Sequence, residues 1–260
     1  MILLSVLLAA ITVHTAVSRR LSDISNELTP GAIGNRYYRE NPEWVKIFSA
    51  PQDTVAQKYG APVELTCQAM GSPPPTIQWY KRNTKLTENE PDYEVQSEGL
   101  AKVTSRLVIN YLLPRHEDLY RCVAVSGGEE ATAVSKLIVI NTEGNRELNF
   151  TQLLQNKILG AYHRPRASYW ATTYMDVIGN NVYLPCRTVG NPKPELVWLD
   201  PMDRKVSRDE RDRVHVMANG DLAIREMQWS DMGNYICSVS NVVGEDQVET
   251  FLYPMKRSDK

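Results

Sequence analysis

Apolar and polar residues alternate along most of the chain with the two-residue period of half-buried strands. Val63 and Leu65 point one way in the first half, Val182 and Leu184 in the second, and Leu107/Ile109 and Leu222/Ile224 repeat the pattern further on. In the first half the pattern predicts strands over 44–48, 61–69, 76–81, 103–110, 118–125 and 131–140. In the second half Asn219-Gly220 separates the alternating runs Arg213–Met217 and Asp221–Ile224, which predicts a hairpin. The period turns helical once. Phe150, Leu153, Leu154 and Ile158 share one helical face, with Gly160 placed to end it. A turn or two of helix is expected there, held only if it docks, because so short a helix is marginal alone.

The two halves are copies of one module. Gly60 and Gly179 each stand seven residues before a cysteine, Cys67 and Cys186, and a tryptophan follows twelve residues later, Trp79 and Trp198. Gly71-Ser-Pro73-Pro-Pro75 matches Gly190-Asn-Pro192-Lys-Pro194. Tyr120 precedes Cys122 by two residues, as Tyr235 precedes Cys237. Cys, Trp and Tyr-x-Cys at these distances are the pattern of an immunoglobulin sandwich. The fold class expected is all-β, two tandem immunoglobulin-like β-sandwiches of the I-set kind, joined by a long, partly helical linker.

That pattern assigns roles. Bridges Cys67–Cys122 and Cys186–Cys237 join opposite sheets, and each closes a loop worth roughly 3–4 kcal/mol in the chain-entropy model. Trp79 and Trp198 fill the centres, and the hydroxyls of Tyr120 and Tyr235 turn back to nearby backbone. Asp231 is expected to pair with Arg213. In the first module His116 and Asp118 stand where Asp231 and Gly233 stand, so that clip is not expected there. Asn241-Val-Val-Gly244 predicts a tight hairpin in the second module, whereas Gly127-Gly128 implies another turn type in the first.

Around the modules, residues 1–18 read as a signal peptide. Ile2 to Val13 is almost wholly apolar but too short to span a membrane, and Ala16 to Ser18 offers small residues for cleavage. Residues 19–40 read as a flexible arm, 41–141 as the first domain, 142–167 as the linker, 168–254 as the second domain and 255–260 as a charged tail. Asn149-Phe150-Thr151 is the chain's only glycosylation triplet, so Asn149 is expected to carry a glycan. No apolar segment follows either domain, so no membrane span is expected. Four cysteines in long-range pairs point to an oxidising, extracellular setting.

Charge and chemistry exclude more than they identify. Lys+Arg 29 against Asp+Glu 31 leaves −2, with no bias toward nucleic acid. His14, His116, His163 and His215 have no metal-ligand spacing, and no Cys-x-x-Cys, phosphate loop, dinucleotide fingerprint or nucleophile elbow is present. No catalysis, metal or cofactor is expected. What remains is surface. Strand alternation turns Tyr80, Val123 and Val125 outward in the first module and Val197, Leu199 and Ile236 outward in the second. An apolar cluster on the outer face of the equivalent sheet in both modules is a candidate interface.

The second module carries a closer likeness. Ala218-Asn-Gly-Asp-Leu222, Asp231-Met-Gly-Asn-Tyr235, Asn241-Val-Val-Gly244 and Thr250-Phe-Leu-Tyr-Pro254 together resemble the insect neural/ectodermal development factor family. These are secreted two-immunoglobulin proteins that bind insulin-like peptides. The resemblance is good over 43–81 and 168–254, moderate over the rest of the first module, and poor in the arm and linker. It implies capture of insulin-like hormones outside cells, damping of insulin signalling and no catalysis. It transfers no hormone-contacting residue. Tyr80, Val123, Val197, Leu199 and Ile236 remain the expected partner face, with insulin-like peptides as partners and self-association also open. The alternative is a secreted adhesion or axon-guidance protein that binds cell-surface immunoglobulin partners.

Overall fold

In the computed structural model, residues 43–87, 89, 97, 99–140 and 162–256 are described. The signal peptide, arm, Asn149 and the helical face at 150–158 lie outside them, as do 257–260. The first module contributes β1 (Trp44–Ser49), β2 (Thr54–Lys58), β3 (Val63–Ser72), β4 (Thr76–Lys81), β5 (Thr84–Lys85), β6 (Leu100–Ile109), β7 (Asp118–Ser126) and β8 (Glu129–Ile140). The second contributes β9 (His163–Val177), β10 (Val182–Leu184), β11 (Cys186–Asn191), β12 (Glu195–Leu199), β13 (Val214–Val216), β14 (Leu222–Ile224), β15 (Gly233–Asn241) and β16 (Gly244–Met255).

Two of the three sheets belong to one module each: β2-β8-β7-β4-β5 to the first and β10-β14-β13 to the second. The third does not. Its eight strands run β1-β3-β6-β9-β16-β15-β12, with β11 also on β9. Strand β9 pairs antiparallel with β6, from Leu100↔Met175 to Ser105↔Tyr169. On its other side it pairs first with β11, Cys186↔Trp170 among them, and then in parallel with β16, Phe251↔Thr173 to Met255↔Val177. It therefore closes the open edge of the first module's sheet while serving as the first strand of the second.

The cores merge accordingly. Each module is bridged as its motif requires, Cys67–Cys122 with Cα atoms 6.4 Å apart and Cys186–Cys237 at 6.6 Å. Trp79 and Trp198 are fully buried against the bridges, and their indole N–H groups donate to Ser105 Oγ at 3.1 Å and to the Gly220 carbonyl at 3.0 Å. Between them, Tyr169, Trp170, Ala171 and Tyr174 of β9 belong to the same continuous apolar cluster as both centres. Four charges lace the seam outside it. Arg106 meets Asp246 at 3.1 Å, Arg166 meets Glu64 at 2.9 Å, and the Arg106 guanidinium lies 4.9 Å from the Trp170 ring centre.

One expectation changes here. The linker was expected to end at 167, yet β9 begins at His163. His163-Arg-Pro-Arg166 reads as loop because a proline in a run argues against a strand. The structure accommodates it: Pro165 is buried while Arg166 turns to Glu64. The expected hairpin forms between β13 and β14, with Gly220 at φ +96°.

Candidate docking surface

Positioning begins at the corners. Tyr235 Oη donates to the Asp231 carbonyl at 3.1 Å, and Tyr120 Oη to the His116 carbonyl at 2.8 Å. Both phenols are buried and raised for that reason first, Tyr120 to about 12. Arg213 grips Asp231 with two hydrogen bonds, 2.8 Å and 2.6 Å, and the same carboxylate accepts the Gln228 N–H at 2.8 Å. In the first module His116 takes that place: its Nδ1 accepts the Leu113 N–H at 3.0 Å. Asp118 instead meets Arg82 at 2.8 Å, which, through its hydrogen bond, holds the carboxyl below the ordinary value. These groups hold strands in place and are not aimed at a ligand.

No cluster of three or more metal-ligating side chains occurs among the described residues. No helix among them is long and apolar enough to cross a membrane. A cavity of about 100 Å³ lies at the seam, lined by Pro75, Tyr169, Tyr174, Tyr183, Arg187 and Asp221 among others. Its polar groups are committed: Tyr169 Oη donates to the Pro75 carbonyl at 2.9 Å, and Arg187 pairs with buried Asp221.

The expected partner face divides in two. Val197, Leu199 and Ile236 come together on the outer face of the eight-stranded sheet, where Leu199 pairs with Ile236 and Val197 with Ser238. All three are half-buried. Tyr80 and Val123 lie on the separate five-stranded sheet. Val123 is only 6% exposed, flanked across the strands by Gln78 and Thr132, so it is no contact residue. Tyr80 is half-buried, with the Arg121 guanidinium 5.3 Å from its ring centre. Equivalent faces of the two modules thus do not form one surface. Strand β9 joins unlike sheets: the first module's β1-β3-β6 side to the second module's β16-β15-β12 side.

That junction creates a surface that alternation alone did not reveal. Lys46, Met70, Lys102, Thr173, Phe251 and Asn234 form one cross-strand row through both modules. Beside it runs Leu100–Met175–Tyr253. Phe48, Phe251, Tyr253 and Trp229 are 42%, 39%, 36% and 50% exposed, high values for aromatic side chains. The Lys102 ammonium lies 4.4 Å from the Phe48 ring centre, and Trp229 packs edge-on to Tyr253 at 6.2 Å. The signal in the sequence was the alternation Glu249-Thr-Phe251-Leu-Tyr253, which places two large aromatics on the solvent side of a strand.

Comparison with known proteins fits this architecture. Residues 46–126 match the immunoglobulin domain model and 175–253 the immunoglobulin I-set domain model. The zwei Ig domain protein zig-4 of Caenorhabditis elegans is 28% identical, over 97% of this chain and 95% of its own length. The crystal structure of neural ectodermal development factor IMP-L2 superposes with a TM-score of 0.66 at 30% identity, covering 84% of this chain and 97% of that one. Neural/ectodermal development factor IMP-L2 of Drosophila melanogaster is 32% identical over 240 residues, 90% of this chain and 85% of its own. The chain belongs to the neural/ectodermal development factor IMP-L2 family of two-immunoglobulin proteins.

Proposed function

We propose that this protein is a secreted binding protein, without catalytic activity, that captures an insulin-like peptide and keeps it from its receptor. Family membership supports the hormone class, through the likeness already drawn to binders of insulin-like peptides. The observation that carries the reading is the aromatic outer face shared by both modules, from Phe48 across Phe251 and Tyr253 to Trp229. Insulin-like hormones present apolar surface to their receptors, so a binder with an apolar face competes for it. Binding energy in such contacts concentrates in a few aromatic or aliphatic anchors. Phe251 and Tyr253 are the anchors we assign, with Leu199 and Ile236 continuing the face toward β12.

Surface plasmon resonance with the source animal's insulin-like peptides tests this. Phe251→Asp combined with Leu199→Asp puts charge into the contact while the core stays intact. Affinity should fall at least about tenfold, or about 1.4 kcal/mol. Tyr80→Asp, on the other sheet, should leave it unchanged. Loss of binding with Tyr80→Asp alone would move the site to the five-stranded sheet. If the folded wild type binds no insulin-like peptide but binds a cell-surface immunoglobulin protein, the adhesion reading replaces this one.

A further inference from the structure

The path of the long sheet has a middle. Strands β1, β3 and β6 lie on one side of β9, and β16, β15 and β12 on the other, three against three. The outer face of the two sides differs in sign. On the first side the row through the seam carries Lys46 and Lys102. The remaining outward charges there, Glu64 and Arg106, are engaged with Arg166 and Asp246. On the second side Glu195, Glu245 and Glu249 are exposed, and no lysine or arginine stands among the outward residues of β12, β15 and β16. The middle is apolar, with Met175 on β9 between Leu100 and Tyr253.

A face whose halves are opposite in charge about an apolar centre is complementary to itself. Closed pairing of identical subunits needs that property, because each half must meet the other across a two-fold axis. We propose that two copies of this chain pair face to face through this surface, with the two-fold axis parallel to β9. Half a turn about an axis parallel to β9 and midway between the facing sheets lays β6 of one copy over β16 of the other. Lys102 shares its row with Phe251, and Glu249 lies two residues, about 7 Å, further along β16, within reach of a lysine side chain. Lys102 of each copy then meets Phe251 and Glu249 of the other. Twisted sheets stack face to face with their strands roughly aligned, about 10 Å apart, so the outward aromatics interdigitate. Pairing covers the same face that we assign to the hormone, so self-association and capture exclude each other. The pairing itself does not depend on the hormone assignment.

Sedimentation velocity of the full secreted chain, without hormone and over about 1 to 100 µM, tests the pairing. The wild type should pass from monomer to dimer across that range. Lys102→Glu and Glu249→Lys, each alone, should remain monomeric, because each places like charges opposite one another. An equimolar mixture of the two variants should dimerise again, as should the double variant, which also shows that both substitutions are folded. A wild type monomeric at about 100 µM overturns the proposal. So does a dimer that either single reversal leaves unchanged. A dimer that persists when hormone is bound would separate the two faces and leave hormone capture standing elsewhere.

Discussion

The Leu113 and Gln228 amides occupy equivalent places, at the start of the short turn before each tyrosine corner, yet an imidazole nitrogen accepts from one and a carboxylate from the other. The consequence is a pH response that originates at His116 in the first module. Burial, then the charges of Arg115 and Lys81, hold His116 below its ordinary 6.5. A histidine whose folded pKa is depressed favours folding in its neutral form. Its contribution is complete above the unfolded value and is lost as pH falls through the folded one. Protonation also ends the ability of Nδ1 to accept the Leu113 N–H. Urea unfolding should therefore show a loss of stability as pH drops from about 6.5 toward about 5. His116→Asp, which restores an acceptor that stays ionised over that range, should lose less. Equal losses in both proteins would contradict the assignment. The sequence showed that His116 replaces the aspartate. That its imidazole takes over the backbone hydrogen bond has no signal in the sequence, because it depends on how the turn places the Leu113 N–H.

At the scale of elements, β9 decides the architecture, and it was the element least legible beforehand. Strands β3, β4, β7 and β15 announce themselves, because each carries one core-facing Cys or Trp with buried apolar residues two steps away from it. Alternation says which face a residue is on but not which strand lies beside it. The pairing of β6 with β9 joins residues roughly seventy apart in sequence, and no local signal encodes it. A hint was present. Tyr169-Trp170-Ala171 are large or apolar at successive positions and all buried, which marks a strand covered on both faces. Gly99 fits its place because the β6 backbone comes so near β9 there: a Cβ would meet the Met175 carbonyl oxygen and the Asp176 carboxyl. Gly99→Val should push the strands apart and cost about 1–3 kcal/mol, the usual penalty of overpacking. The readout is the urea midpoint. An unchanged midpoint would show that the seam is looser than described.

At the scale of the whole molecule, the modules should behave as one body. They share a sheet, a core cluster and the Arg106–Asp246 pair, so opening one exposes apolar surface of the other. Calorimetry should give a single cooperative transition. Two resolved transitions would mean that each module folds on its own. The same continuity makes one outer face out of two half-surfaces, and the capture of a hormone on that face is what we propose. Hydroxyl-radical footprinting of the protein with and without a bound insulin-like peptide, at a concentration where the free chain is monomeric, tests it most directly. Phe48, Met70, Met175, Phe251, Tyr253 and Trp229 should lose reactivity together on binding, in both modules at once, while Tyr80 keeps its own. Protection confined to one module, or centred on Tyr80, would contradict a shared face.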